Sequence, residues 1–219
     1  MRHFLVVSGG EIDDGFTVRA MDELRPDIRI AADSGMEFFY RTGRCPDVIV
    51  GDFDSVEAEA LEFFRGQPGI EFRELNPVKD DTDTESAIRI AISMGAEQIT
   101  LLGGTGSRLD HVLGNIELLG MGLKAGVPIT MLDAHNRIRM VQRGIAICKE
   151  EQFGSYVSLL PYTGKVEHLT LAGFKYPLMD HCLEGFCSLG VSNEIVENRG
   201  IITFDGGILL VIESRDEGR

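Results

Sequence analysis

The sequence predicts an α/β fold in which an N-terminal domain built on a parallel sheet precedes a small antiparallel β domain, a sandwich or a barrel. Strand-like and helix-like segments alternate up to residue 134, the pattern of a parallel sheet with crossover helices. From residue 135 onward, short β-rich segments separated by turn residues replace that alternation. The chain has 219 residues, 43% of them hydrophobic, which is enough for two modest domains with a core each. We therefore expect domains at 1–134 and 135–219.

Short apolar runs predict six strands in the first domain, the fourth of them at a sheet edge: residues 3–7, 28–33, 47–50, 70–75, 98–102 and 128–132. The segments between them predict five helices: 14–24, 35–42, 56–65, 83–94 and 108–124. In the fourth helix apolar residues recur three and four positions apart, and Thr82 with Glu85 forms a capping box at its start. The fifth helix has a strongly periodic apolar stripe: Leu109, Val112, Leu113, Ile116, Leu119 and Leu123.

The second domain is predicted to be all β. Its strand-like segments are 137–142, 146–150, 155–160, 166–173, 184–196, 200–204 and 207–214. The "DGG" at 205–207 lies between two apolar runs and predicts a hairpin turn.

Composition excludes several classes of protein. With 21 basic and 35 acidic residues the formal net charge is 21 − 35 = −14, so neither nucleic acid nor a membrane is an expected partner. The same charge would repel a nucleotide unless a metal cation intervened. No segment is apolar enough to span a membrane, and the four scattered cysteines suggest no disulfide framework. We therefore expect a cytoplasmic protein.

Carboxylates and glycines follow the predicted strands of the first domain. In an open α/β sheet ligands bind outside the carboxyl ends of the strands, so these loops should meet at one edge. The candidate residues, in strand order, are Gly9 and Gly10, then Asp33, then Asp52 and Asp54, then Lys79, Asp80, Asp81, Thr82 and Asp83, and finally Gly104, Arg108, Asp110 and His111.

Any one of these aspartates could be a turn or helix-capping residue. Several carboxylates at one edge would repel one another unless a cation lay among them, and oxygen ligands select Mg²⁺ or Ca²⁺ over zinc. The loop "GGTGSR" (103–108) could hold phosphate with its backbone N–H groups, although it matches neither a P-loop nor a dinucleotide fingerprint. Arg108 could hold phosphate oxygens bidentately. Together these features predict a site for Mg²⁺ and a phosphate-bearing substrate.

A rival hypothesis is a phosphatase of the haloacid dehalogenase type, whose nucleophile lies in an Asp-x-Asp motif such as "DFDSV" (52–56). Those enzymes carry the motif on the first strand, whereas here it follows the third, and Gly51 interrupts the apolar run before it.

Four motifs occur in the order found in one enzyme family: "AADSG", "GDFDS", "KDDTDTESAI" and "GGTGSRLDHVLGN", with "YPL…LEGFCSLGVSNE" later in the chain. The chain therefore resembles thiamine pyrophosphokinase over nearly its whole length. The resemblance implies a nucleotide-binding α/β domain, a C-terminal thiamine-binding β-sandwich, and a homodimer with active sites at the subunit interface. The implied reaction transfers pyrophosphate from ATP to the hydroxyl of thiamine, leaving AMP. One aspartate would accept the proton of that hydroxyl, and which one is left open.

Carried over to this chain, the resemblance implies that Asp52, Asp54 and Asp83 hold Mg²⁺. The nucleotide and phosphate site would be completed by Gly9, Gly10, Asp33, Lys79, Asp80, Thr82, Gly104, Arg108, Asp110 and His111. Ser192 and Asn193 of "GVSNE" would lie near the thiamine pyrimidine. Some members stack a tryptophan on thiamine, and this chain has none. Phe186 or Tyr176 could replace it, although Phe186 could equally pack in the core.

Two further alternatives stay open from the sequence. The acceptor could be another hydroxymethyl heterocycle, such as a pterin, although the β-rich second domain favours thiamine. The protein could also be a sensor that binds nucleotide or thiamine diphosphate without catalysis, although a sensor has no need of a complete metal site.

Overall fold

A computed structural model of the chain describes residues 1–54, 56–76 and 80–216. They form two compact units, Met1–Ala134 and a second that begins at His135. The first unit is α/β and the second is all β, as the sequence predicts. In the described parts of the chain, no helix is both long enough and apolar enough to cross a bilayer.

The first unit contains a six-stranded sheet. Its strands are β1 (His3–Val7), β2 (Ile28–Ala32), β3 (Val48–Gly51), β4 (Glu71–Glu74), β5 (Gln98–Leu102) and β6 (Ile129–Leu132). All of them pair in parallel, in the order β4-β3-β2-β1-β5-β6, with β4 at the edge as predicted. The order reverses between β1 and β5, and in such sheets the reversal opens a crevice at the carboxyl ends of the strands.

Five helices connect these strands. They are α1 (Asp14–Leu24), α2 (Gly35–Arg41), α3 (Ala58–Arg65), α4 (Asp83–Ser93) and α5 (Leu109–Ala125). Leu5 and Val7 of β1 pack with side chains of α1, α2 and α3 in one core cluster. Phe4 and Val6 point to the opposite face and are also fully buried, so β1 is the centre of a sheet covered on both sides.

The apolar stripe of α5 is buried only in part. Leu119 is 1% exposed, but Leu109 and Leu113 are 72% and 63% exposed. Periodicity identifies the helix correctly, but it does not tell whether the neighbour of an apolar face lies within the chain. The N-terminal half of α5 therefore presents apolar side chains at the surface.

The second unit is a sandwich of two antiparallel sheets. Its strands are β7 (Asn136–Val141), β8 (Ile145–Cys148), β9 (Tyr156–Pro161), β10 (Lys165–Ala172), β11 (Leu178–Glu184), β12 (Arg199–Thr203) and β13 (Leu209–Ser214). One sheet has the order β7-β13-β9 and the other β11-β10-β12-β8. Val157 and Val211 of the first sheet share a core with Leu169 and Ile202 of the second.

Two predictions for this unit are wrong. The "DGG" at 205–207 is not a hairpin turn, because β12 and β13 belong to different sheets and the turn carries the chain from one to the other. The segment 184–196 is not a strand beyond Glu184, and β11 lies before it. Apolar residues such as Phe186 and Leu189 suggested a strand, but both are exposed in a loop.

Candidate active site

A cleft of about 600 Å³ lies at the carboxyl ends of β1, β2 and β5. Its walls are the loops that follow these strands, together with the first residues of α4 and one face of α5. The cleft thus occupies the reversal point of the strand order, where the fold predicts a ligand site. Of the predicted residues, those that line it are Gly9, Gly10, Asp33, Thr82, Asp83, Gly104, Arg108 and His111.

Three carboxylates converge at this end of the sheet. Asp33, Asp52 and Asp83 each have an oxygen within 4.8 Å of the others, and all three are half-buried. They come from the end of β2, the end of β3 and the first turn of α4. The spacing and the oxygen-only donor set fit a hard divalent cation.

Gly51 makes room for Asp33 in this group. A Cβ at Gly51 would lie 3.1 Å from the Cα of Asp33 and 3.3 Å from its Oδ1. The backbone N–H of Asp33 donates to the carbonyl of Val50 at 2.7 Å, and Asp33 has a φ of 47°. Gly51, the last residue of β3, thus allows the end of β3 to approach Asp33 at the end of β2 closely.

The predicted metal set differs from this group by one member. Asp54 is exposed and lies outside the group of three, and its backbone N–H donates to Oδ1 of Asp52 at 3.3 Å. Asp33, which the sequence suggested for the nucleotide side, takes the third position. Asp80 is exposed and does not line the cleft. Lys79 falls outside the described residues.

Residues 103–108 form the glycine loop, which packs backbone to backbone against the loop after β1. The N–H of Gly10 donates to the carbonyl of Gly103 at 2.9 Å, and the N–H of Glu11 donates to that of Thr105 at 2.7 Å. A Cβ at Gly10 would overlap both of those carbonyl oxygens, and one at Gly104 would lie 2.5 Å from Sδ of Met131. At both positions a side chain would clash with neighbouring atoms, so packing alone accounts for glycine there.

Arg108 lies at the N-terminus of α5, where it pairs with Asp110. Its Nη2 is 2.6 Å from Oδ2 of Asp110, and both side chains are exposed. The hydrogen bond from Arg108 is the largest cause that lowers the pKa of Asp110. Asp110 does not line the cleft, whereas its partner Arg108 and the next residue, His111, both do.

The start of α4 contributes a cap and a hydroxyl. Oγ1 of Thr82 accepts the N–H of Glu85 at 3.2 Å, which confirms the Thr82 half of the predicted capping box, while Oε1 of Glu85 accepts from Nη2 of Arg89. Thr84 is buried, and its hydroxyl is 2.6 Å from that of Ser8. The sequence analysis missed this pair, and the available signal was a serine directly after β1 within "SGG".

Asn115 was missed as well. It lies on α5 four residues after His111, lines the cleft, and its Nδ2 donates to the carbonyl of Gly104 at 2.8 Å. A polar residue one turn after His111, amid an apolar stripe, was the signal that could have identified it.

In the second unit, Ser192 and Asn193 are part of the loop between β11 and β12. Asn193 is 7% exposed, and its Oδ1 accepts the N–H groups of Tyr176 and Glu194 at 3.0 and 2.9 Å. Its Nδ2 donates to the carbonyl of Tyr176 at 2.8 Å. Asn193 therefore fixes this loop against residue 176, while Ser192 is exposed with a φ of 59°.

Comparison with known families decides what this arrangement is. The model of the thiamin pyrophosphokinase catalytic domain matches residues 24–131, and that of the thiamin pyrophosphokinase vitamin B1 binding domain matches residues 144–209. The chain belongs to the thiamin pyrophosphokinase family. The first match falls within the α/β unit and the second within the sandwich.

Individual relatives agree with this assignment. The thiamine pyrophosphokinase of Bacillus subtilis is 35% identical over 188 residues, which is 85% of this chain and 87% of that protein. The crystal structure of the thiamine pyrophosphokinase from Bacillus subtilis matches with a TM-score of 0.87 and 32% identity, over 98% of this chain and 99% of that one. The thiamin pyrophosphokinase structure from Geobacillus thermodenitrificans matches with a TM-score of 0.84 and 30% identity, over 99% of each chain.

For a thiamin pyrophosphokinase without tryptophan, the exposed aromatics of the sandwich are of interest. Phe186 is fully exposed, with a φ of 62°, so the alternative that it packs in the core is wrong. Tyr176 is 61% exposed, and Nζ of Lys175 lies 5.6 Å from the centre of its ring. Both rings are accessible for stacking on a ligand.

Proposed function

We propose that the thiamine pyrophosphokinase activity of this chain is carried out in the cleft at the carboxyl ends of β1, β2 and β5. There the pyrophosphoryl group of ATP would pass to the hydroxyl of thiamine, giving thiamine diphosphate and AMP. The observation that carries this proposal is the convergence of Asp33, Asp52 and Asp83, of which Asp33 and Asp83 line a cleft formed in part by glycine loops.

The three carboxylates are the proposed ligands of Mg²⁺. Their spacing within 4.8 Å fits a shared cation, and oxygen donors suit Mg²⁺. Bound there, Mg²⁺ would neutralise phosphate charge, which an acidic chain needs in order to accept a polyphosphate. We keep Asp54 as a proposed further ligand, because it lies two residues after Asp52 and its backbone N–H donates to Oδ1 of Asp52.

The proposed phosphate site uses backbone as well as side chains. The N-termini of α4 and α5 both open into the cleft, where the helix dipole favours anions. The guanidinium of Arg108 is exposed at the cleft and can exchange its bond with Asp110 for bonds with phosphate oxygens.

The proposed mechanism is positioning combined with charge neutralisation. The acceptor hydroxyl attacks the β-phosphorus of ATP in line with the bond to the departing AMP. The hydroxyl proton passes to one of the aspartates, and Arg108 stabilises the negative charge that develops on AMP. No residue of the chain needs to form a covalent intermediate.

The second unit is the proposed thiamine side, with Ser192 near the pyrimidine and Phe186 or Tyr176 stacking on it. Asn193 would act by holding the loop, since its side-chain oxygen already accepts two backbone N–H groups.

We further propose a homodimer with active sites at the subunit interface, as the family resemblance implies. The exposed Leu109 and Leu113 of α5 support this proposal, as do the exposed Phe186, Leu189 and Val191 of the sandwich. The four free cysteines suit a reducing compartment, which supports a cytoplasmic location.

The first experiment incubates the protein with Mg²⁺, ATP and thiamine and measures AMP and thiamine diphosphate. Controls omit the acceptor or replace it with a hydroxymethylpterin. AMP formed only with thiamine is the expected result. AMP formed only with the pterin would mean that the acceptor is another heterocycle. No AMP in any sample would overturn the proposed chemistry.

A further inference from the structure

Three consecutive peptide carbonyls of the glycine loop each accept a hydrogen bond from outside the loop. Gly103 accepts from the N–H of Gly10 at 2.9 Å, and Thr105 accepts from the N–H of Glu11 at 2.7 Å. Between them, the carbonyl of Gly104 accepts from Nδ2 of Asn115 at 2.8 Å. The acceptor groups of the loop are thereby engaged by the protein itself.

The backbone N–H groups of the loop, unlike its carbonyls, are not engaged by the parts of the protein that the structure describes. Within the described residues, the backbone N–H groups of residues 104–108 donate to no acceptor in the chain. These residues line the cleft, so their N–H groups are left to solvent or a ligand. A loop with engaged carbonyls and available N–H groups is suited to an anion.

Asn115 controls one peptide unit of this loop directly. A trans peptide unit is planar, and its C=O and N–H point in opposite directions. Holding the carbonyl of Gly104 therefore also fixes the direction of the N–H of Thr105. Glycine-rich backbone has more conformational freedom than any other, so an anchor here removes alternatives in which a carbonyl would face the cleft.

We infer that Asn115 is a positioning residue, whose amide turns the peptide between Gly104 and Thr105 so that the loop presents N–H groups to the phosphates of the nucleotide. The inference rests on the proposed function for the presence of a nucleotide in this cleft. The other two anchors are backbone bonds that no side-chain substitution removes, and Asn115 is the side-chain member of the set.

The test is Asn115→Leu, which keeps the approximate size of the side chain and removes the donor. The dissociation constant for ATP is expected to rise about tenfold, the usual effect of one lost hydrogen bond of this kind. Adenosine, which has no phosphate, is expected to bind as it does to the wild type. In turnover, KM for ATP is expected to rise while KM for thiamine stays unchanged. Asn198→Leu, an exposed asparagine of the sandwich, is the matched control.

A second variant, Asn115→Ala, also removes the donor and favours the helix, so it serves if the leucine variant does not fold. Unchanged ATP affinity in a folded variant would overturn the inference, as would an equal loss for ATP and adenosine. Wild-type protein that binds ATP but forms no AMP with thiamine would refute the proposed function alone, because the binding comparison still decides the role of Asn115. Wild-type protein that binds no ATP would refute both.

Discussion

At the residue scale, the carboxylate group of the cleft is defined by three oxygens that lie within 4.8 Å of one another. Three negative charges at this spacing repel one another, and a cation among them turns that repulsion into attraction. Each member should therefore matter for metal binding more than an aspartate that is nearby in sequence but lies outside the group.

Asp83 and Asp81 provide that comparison. Asp83 belongs to the group, whereas Asp81 is 3.1 Å from Nε of Arg89 and does not line the cleft. Asp83→Asn is expected to lower kcat/KM by about 100-fold or more, because metal assistance contributes several kcal/mol and about 1.4 kcal/mol corresponds to tenfold. Asp81→Asn is expected to stay within a few-fold of the wild type. Steady-state kinetics over a Mg²⁺ series measures both, and equal effects of the two variants would contradict the metal assignment.

Gly51 is the second residue-scale case. In Gly51→Ala the new methyl would lie 3.1 Å from the Cα of Asp33 and 3.2 Å from Cε1 of Phe53, so Asp33 must move. We expect a loss of about 1–3 kcal/mol in the free energy of unfolding from overpacking. We also expect a several-fold rise in the Mg²⁺ concentration needed for half-maximal activity. Urea unfolding and Mg²⁺ titration measure these, and a Mg²⁺ requirement unchanged by the substitution would show that Asp33 is not held through Gly51.

The sequence predicted which loops meet, since that follows from strand order and the carboxyl-end rule. It did not predict that Asp33 rather than Asp54 completes the group of three. Asp52 and Asp54 are only two residues apart in sequence, but the close approach of Asp33 depends on the absence of a side chain at Gly51, a contact between two different strands. Contacts of this kind are set by packing across the sheet and leave no local pattern in a single sequence.

At the element scale, the paired strands β7 and β13 contain a buried carboxylate, that of Glu213. Glu213 is 0% exposed, and its carboxylate lies 2.5 Å from Nη2 of Arg137 and 2.6 Å from Nη2 of Arg139. It also accepts the N–H of Phe153 at 3.0 Å. Burial lowers the pKa of the Arg139 guanidinium, and the charge of Glu213 opposes that effect. Alternating apolar residues predicted both strands, but nothing in their pattern indicated that a charged residue would lie within the pair.

Glu213→Gln tests what this buried carboxylate contributes. The substitution keeps the shape of the side chain and leaves two partly buried arginines without their counter-charge. We expect the free energy of unfolding to fall by about 3–5 kcal/mol. Glu167→Gln, which breaks the exposed pair with Lys165, is expected to cost less than about 1 kcal/mol. Urea unfolding measures the free energy of unfolding of both variants. Similar losses would mean that Glu213 with its two arginines stabilises the fold no more than a surface ion pair does.

At the scale of the whole molecule, the sequence predicted the order and type of the elements except β11. It did not predict which apolar side chains are exposed. Periodicity predicted α5 but not the exposure of Leu109 and Leu113, and the segment 184–196, predicted to be a strand, is the loop that exposes Phe186. Both differences concern apolar side chains that are exposed in a single chain. An apolar face that is covered by a second molecule has the same sequence pattern as one covered within the chain.

Assembly is therefore the last property to test. Each copy has a net charge of −14, so two copies repel one another, and association must depend on apolar contact. Leu113→Glu places a charge on the exposed face of α5 and is expected to give a monomer where the wild type is a dimer, with reduced activity if the active sites lie at the interface. Lys124→Glu, at the far end of the same helix, is the control and should stay dimeric. Sedimentation velocity decides between the states, and added salt should strengthen the wild-type dimer by screening the repulsion. A dimer that survives Leu113→Glu would place the interface elsewhere and leave the leucines of α5 without an explanation.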